Sequence, residues 1–512
     1  MSLKGDAMTA SFDLISQPWI PCLKRDGTAI ELGLRDALAQ AHELRELGGE
    51  SPLVTAALHR LLLAILHRDF GPPDYDAWHV LWQAGRFDPG ALDGYFAQWR
   101  ERFDLFHPTR PFYQAADERV KRKSLTSLVH EVASGNNATL FDHHTDEGGL
   151  TLNPPQAARF LVAAQAFGLA GLSGLPQKFT DGSCARGIIF LVQGGTVFET
   201  LLLNLLRYDN DHPLPRRPDD RPAWEMADPF EGDRSIPRGY LDYLTWQNRR
   251  ILLLPEATDD GVVIRQMTLA PGLRLGEGIP DPMKPYRRDE KRGLLPLRFN
   301  EDRALWRDSA TLFQLDSVSA HAPRAFAWLA ELVGEGYLPR GTRRTLALGM
   351  ANDQAKVEFY RTEHLSLPLV YLRDQQLVNS LRDDVLGVAE NVARQLWGAA
   401  RTMATFVFAP QADSENARQP APEDMNRLAA MWGVERRYWS RLEIPFRLAL
   451  EELPLDREAT LTKWQQTLKR TAWDAFKAAA EDVETDPRAL KAAVNGRDQL
   501  AAGLAKVLPA QD

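Results

Sequence analysis

Cysteine is almost missing from this chain: Cys22 and Cys184 are the two among 512 residues. Two thiols make no disulfide framework and no Cys-x-x-Cys zinc pair, and their scarcity fits a reducing compartment. Long apolar runs are missing too, none reaching the roughly 18 residues that a membrane-crossing helix needs. No charged-then-apolar leader opens the chain, and Met1 to Ala7 reads as an added stretch ahead of a second start at Met8. These absences lead to the expectation of a cytoplasmic protein that does not enter a membrane. Positive charge is not in excess: Lys and Arg number 61 against 69 Asp and Glu, for a net charge of −8. That balance argues against coating nucleic acid by bulk electrostatics, while local basic patches remain open. Also absent are GxxxxGK followed by Ser or Thr, GxGxxG, HExxH, a nucleophile elbow and a paired-carboxylate pattern. Composition and motifs alone therefore stop at a soluble α+β protein with a helical appendix, and they give no cofactor and no metal site.

What is present is length, and a change of character along it. A chain of this size exceeds what one hydrophobic core usually spans, so two or three domains are expected. Phe12 to Gly27 alternates apolar residues and turns at Arg25-Asp26-Gly27, a short hairpin. Pro52 to His67 carries Leu and Ala at helical spacing behind a capping Ser51, a buried helix. Pro154 to Ala170 reads as another helix, Gly187 to Val197 as a strand, and Phe198 to Leu206 as a helix. Tyr208 to Asp233 is a Pro, Asp and Arg-crowded connector anchored by Trp224, and Tyr240 to Pro255 and Val262 to Leu269 read as strands. Beyond about Asn379 long amphipathic helices take over, with Val385, Val388, Val392, Leu396, Ala399 and Met403 on one face. Further helices are expected at Met425 to Leu453, Leu461 to Ala480 and Ala489 to Val507. The fold expected is α+β: a mixed domain over 8–375 and a C-terminal four-helix bundle over 376–512.

Three loops invite a ligand. Ser134 to His144 combines Gly135, Asn136 and Asn137, which favour turns and offer amides, with Phe141, an aromatic among polar neighbours that can stack or wedge. Asp142, His143, His144, Asp146 and Glu147 in the same stretch admit a metal or acid/base reading. That reading ranks behind ligand contact, because metal ligands usually converge from separated elements. Gly171-Leu172-Ser173-Gly174, followed by Lys178 and Asp181-Gly182-Ser183, frees backbone N–H groups to approach phosphate or base edges. Between Lys284 and Arg298, six basic residues (Lys284, Arg287, Arg288, Lys291, Arg292 and Arg298) stand against Asp289 and Glu290, a patch that can meet phosphate or simply be a solvated loop.

Four stretches in register carry a resemblance. They are Phe12-Asp13-Leu14-Ile15 with Gln17-Pro18-Trp19-Ile20-Pro21, Gly49-Glu50-Ser51-Pro52-Leu53, the Gly135 to His143 loop, and Tyr243-Leu244-Thr245-Trp246-Gln247-Asn248-Arg249-Arg250. Together they resemble the CasA family, the large subunit of the type I-E CRISPR surveillance complex, Cascade, from about residue 11 to the end. The resemblance implies a non-catalytic subunit that reads the protospacer-adjacent motif (PAM) on double-stranded DNA. It further implies that the subunit helps to open the duplex for the guide RNA and recruits a helicase-nuclease. It places Asn136, Asn137 and Phe141 in a loop that docks on the crRNA-bearing subunits. It places Gly171, Ser173 and Gly174 at the PAM, and Asn352, Asp353 and Gln354 in a wedge with Gln354 at its tip. Arg274 is the nearest basic side chain to the family's PAM-contacting lysine. Lys284, Arg287, Arg288, Lys291 and Arg292 would hold DNA phosphates. Some relatives carry a cysteine-rich zinc insertion near residues 255 to 270, which this sequence lacks. The competing readings are a metal-dependent nuclease built on His143 and His144, and a helical scaffold that binds only protein.

Overall fold

Caps and prolines set where the main helices begin. Ser51 accepts a hydrogen bond from the Val54 N–H at 3.4 Å and Pro52 occupies the first turn, so the helix Pro52–Phe70 starts there. Every residue from Ala56 to His67 is buried, the mark of a helix enclosed by its own domain. At Pro154–Phe167, Asn153 and Gln156 close a reciprocal capping box, the Asn153 side chain receiving the Gln156 N–H at 2.9 Å. In the computed structural model the described residues are 10–129, 149–208, 214, 217–315, 320–353, 356–414, 420–483 and 487–508. Asn136, Asn137, Phe141, His143, His144 and Gln354 lie outside them.

Two units divide the chain: Met1–Asn300 with Leu315–Leu369, and Glu301–Gln314 with Val370–Asp512. Among the described residues the first holds four antiparallel three-stranded sheets. Ile20–Lys24 pairs with Ala29–Leu32 across the Arg25-Asp26-Gly27 turn and with Leu44–Leu47 on its other side. Arg249–Thr258 and Gly261–Pro271 form a long hairpin. Tyr286–Asp289 pairs with Gly293–Pro296. In the largest sheet Thr342–Asp353 runs centrally between Ile189–Gln193 and Lys356–Pro368. The strand expected from Tyr240 begins only at Arg249, because Tyr240–Leu244 is a helix. Asp220 fixes it by accepting the Leu241 and Asp242 N–H groups at 3.0 Å each, a tertiary cap that hydropathy along the chain does not reveal.

The second unit is helical and includes residues 301–314, far from the rest in sequence. Trp306 packs on Phe446 at 4.6 Å between ring centroids, and Arg303 and Arg307 reach Glu390 at 2.8 and 2.7 Å. The long helix Val388–Phe408 buries Val392, Leu396, Ala399 and Met403 as expected. Val388 is only partly buried, and Ala389 takes its place, because the wider π-helical turns of Leu381–Gly387 shift the phase. The helix expected over Met425 to Leu453 is three: Pro422–Met431, Val434–Ser440 and Glu443–Glu452. Gly433 in the left-handed region (φ +61°) breaks the first from the second, and Pro445 is accommodated only because it falls in a first helical turn. Arg457–Glu481 and Pro487–Val507 complete the unit.

Candidate nucleic-acid interface

The glycine loop is held from below by residues that read in sequence as part of a strand. Gly171 and Phe179 exchange backbone hydrogen bonds at 3.2 and 3.0 Å, closing the loop between them. Inside it the Ser173 hydroxyl accepts the Leu175 N–H at 3.0 Å and donates to the Gln177 carbonyl. Gly174 sits at φ +77°, and a Cβ added there would project into open space, so the turn requires glycine for its backbone alone. Leu172 is 85% exposed at the apex. Underneath, the Arg249 guanidinium donates to the Leu169 and Thr180 carbonyls at 2.7 and 2.9 Å and lies 4.6 Å from the centre of the Phe179 ring. Burial among carbonyls rather than carboxylates pushes its pKa down. Asn248 donates to the Thr180 hydroxyl at 3.0 Å. Asn248 and Arg249 are thus a buried buttress.

One ion pair joins this loop to the sheet that carries Asn352. Asp181 receives the Ala170 N–H at 2.8 Å and the Arg186 Nε at 2.7 Å, and Arg186 Nη1 lies 3.5 Å from the Asn352 carbonyl. The strands pair up to Asp353 opposite Lys356, with a bulge between Ala351 and Asn352 that adds local twist just before their ends. Arg298 belongs to the same cluster, since burial and the neighbouring Arg186 push its pKa down while Asp181 opposes them. Glycine loop and hairpin are therefore brought together around Asp181, Arg186 and Arg298.

The basic hairpin divides in two. Arg287, Arg288, Lys291 and Arg292 are exposed, and the turn between the strands is closed by Asp289, which accepts the Lys291 and Arg292 N–H groups at 2.9 Å each. Those two bonds hold the Asp289 carboxyl below its usual range. Lys284 is a correction to the expected phosphate set. It is 5% exposed, and its Nζ donates to the Ser183 and Arg186 carbonyls at 2.5 and 2.7 Å, so the ammonium is committed to shaping the loop and cannot meet phosphate. Arg274 is exposed and lies 3.9 Å from Glu277, a weak surface pair that leaves it accessible. Among the described residues no group of three or more His, Cys, Asp or Glu side chains could hold a metal ion, and no described helix is long and apolar enough to cross a membrane.

The family model described as CRISPR-associated protein Cse1 matches residues 13–475. This chain belongs to the Cse1 (CasA) family. It is 36% identical over 507 residues to CRISPR-associated protein CasA/Cse1 of Thermus thermophilus, covering 95% of this chain and 96% of that one. Its fold matches Thermobifida fusca Cse1 with a TM-score of 0.82 at 30% identity, over 97% of this chain and 98% of that one. Thermus thermophilus CasA matches with a TM-score of 0.79 at 32% identity, over 97% and 99%. At 22% identity the fold is also that of a chain in a structure described as a CRISPR RNA-guided surveillance complex, with a TM-score of 0.74 over 96% and 99%.

For this Cse1-family chain, sequence reasoning missed Asp181 and Arg186 as the link between loop and hairpin. Asp181 was visible only as a turn residue, and Arg186 as one isolated arginine. Neither signal indicates a partner 166 residues away in sequence.

Proposed function

We propose that this chain is the large, non-catalytic subunit of a type I-E CRISPR surveillance complex, reading the PAM on double-stranded DNA and promoting opening of the duplex beside it. The observation that carries this reading is the Asp181–Arg186 bridge, which ties the base of the glycine loop at Ala170 to the backbone of Asn352. A minor-groove reader needs a slim backbone, because that groove offers few distinguishing donors and acceptors. Gly171, Ser173 and Gly174 supply it. Asn352, Asp353 and Gln354 then act on the first base pair, where an inserted amide partly replaces the lost pairing, and Arg274 flanks the groove. Arg287, Arg288, Lys291 and Arg292 hold phosphate, and Arg298 joins them from beside Arg186. Asn136, Asn137 and Phe141 dock on the crRNA-bearing subunits. Once the R-loop forms, the subunit recruits the helicase-nuclease. Membership in the Cse1 family and the fold shared with a surveillance-complex chain support this assignment.

The test separates recognition from opening. Gly174→Val removes discrimination between PAM and non-PAM duplexes, because a β-branched residue cannot hold φ +77° and the slim turn that would approach the groove is lost. Gln354→Ala leaves initial engagement nearly intact but slows strand separation, and a pre-opened bubble beside the PAM restores the rate. R-loop formation rates on closed and bubbled targets are the measurement. Equal defects of Gln354→Ala on both would reject the wedge, and retained PAM discrimination in Gly174→Val would reject the reader.

A further inference from the structure

The glycine loop has a neighbour that the reading above leaves unused. Arg119, in the stretch 117–124, donates Nη1 to the Gln177 side-chain oxygen at 2.8 Å, and the Gln177 carbonyl already receives the Ser173 hydroxyl within the loop. Gln177 is therefore held from two sides. Arg119 is held in turn by Asp117, whose carboxylate oxygens accept its Nε at 2.9 Å and its Nη2 at 2.6 Å. This forked pair, joined by the Arg119 backbone N–H at 3.0 Å, holds the Asp117 carboxyl down to about 2. Farther along, Lys123 pairs with Met267 of the strand Gly261–Pro271. The chain between Arg119 and Lys123 is thus anchored at both ends, and its course beside the loop is set before any ligand arrives.

This anchored stretch carries positive charge. Residues 117–123 hold Arg119, Lys121, Arg122 and Lys123 against Asp117 and Glu118, and Asp117 is committed to Arg119. Two extended residues span at most about 7 Å, so the Lys121 backbone lies within that distance of the residue that grips the loop. On the other side of the Arg119–Gln177 contact, Lys178 sits between Gln177 and Phe179, and the Phe179 N–H and carbonyl are both bonded to Gly171. Lys121, Arg122 and Lys178 are exposed, and among the described residues none of the three meets a carboxylate. Because the backbone that carries them is already ordered, engaging an anion costs mainly side-chain freedom.

We propose, resting on the reading of this loop as a minor-groove contact, that Lys121, Arg122 and Lys178 form a phosphate clamp for duplex DNA on the flank of the glycine loop, separate from the Arg287 to Arg292 hairpin. A turn that enters a groove lies between two phosphate strands, and cations fixed beside the turn fall where those phosphates run. Such contacts carry no base information. The clamp therefore sets how firmly and in what register the duplex sits, while the loop between its cations reads the groove.

The test uses the full chain and short duplexes randomised over a few central positions. Total affinity reads the clamp, and enrichment of particular sequences among the bound duplexes reads the groove contact. Lys121→Gln, Arg122→Gln and Lys178→Gln together, all at exposed positions, should lower total affinity at least about fivefold and reduce the slope of log K against log salt by up to about 0.9 for each phosphate released, with the enrichment unchanged. The same loss of affinity without any enrichment in the parent chain supports a clamp that holds duplex and removes the groove reading alone. Affinity within about twofold of the parent with an unchanged slope, a loss confined to the enriched sequences, or a loss on single-stranded RNA but not on duplex overturns the clamp. A parent chain that binds no duplex overturns both.

Discussion

At the scale of single residues, burial of groups that could carry charge is what most shapes this protein's response to conditions. His59, within the buried helix, donates its Nδ1–H to the Thr55 carbonyl at 2.8 Å, and burial pushes its pKa down to about 4. An unfolded histidine titrates near ~6.5. Between those two values the unfolded chain binds a proton that the folded chain refuses, so stability falls as pH drops through that window. His59→Gln, which keeps a polar group within reach of Thr55, should flatten the change in denaturant midpoint between pH 7 and pH 5 by roughly 2 kcal/mol at most. An unchanged slope would mean that His59 is already charged in the fold. The same logic explains Lys284 and Arg249, whose buried cations are compensated by carbonyls and serve the loop rather than a ligand.

At the scale of elements, close approach decides which substitutions matter. Val388–Phe408 and Pro487–Val507 meet through small residues, and a Cβ on Gly496 would lie 2.8 Å from the Phe476 ring and 3.0 Å from the Ala399 carbonyl oxygen. Gly496→Val should therefore destabilise the helical unit by about 1–3 kcal/mol, read as a lowered thermal midpoint, whereas the same change at Gly398, where nothing lies within 4 Å, costs mainly helix propensity. Equal effects at the two sites would show that the helices are not in this register. Much of this level was legible: the Ser51 cap, the hairpin at Arg25-Asp26-Gly27 and the stripe through Leu396 and Met403 follow from local chemistry and spacing. The helix at Tyr240–Leu244 and the split of Met425 to Leu453 were not, because a tertiary carboxylate makes the one and a left-handed glycine the other.

At the scale of the whole molecule, a net charge of −8 coexists with a hairpin of four exposed cations, so the proposed binding of nucleic acid would rest on that patch and not on the total charge. Changing Arg287, Arg288, Lys291 and Arg292 together to Ala should weaken DNA binding similarly for all sequences and reduce the slope of log K against log salt by up to about 0.9 for each phosphate no longer neutralised. A loss confined to PAM-bearing duplexes would instead make the patch a base reader. Assembly is tested apart from DNA: Phe141→Ala should reduce co-purification with crRNA-bearing subunits at limiting concentration while leaving thermal unfolding unchanged, since an aromatic set among polar residues contributes mainly when a partner buries it. Undiminished recovery would remove Phe141 from the docking loop.

What the sequence determined by itself was class, family resemblance and the identity of the loops, because caps, turn residues and hydrophobic spacing act over a few residues and survive as local signals. It also narrowed chemistry by what it lacks. Only the tertiary structure decided which loops meet. Arg186, held by Asp181, reaches Asn352 across a long stretch of chain, Lys284 turns inward from a patch whose neighbours face solvent, and residues 301–314 join helices that begin beyond Val370. Each of these depends on which distant groups fill the space around a side chain, and one chain read residue by residue carries no record of that.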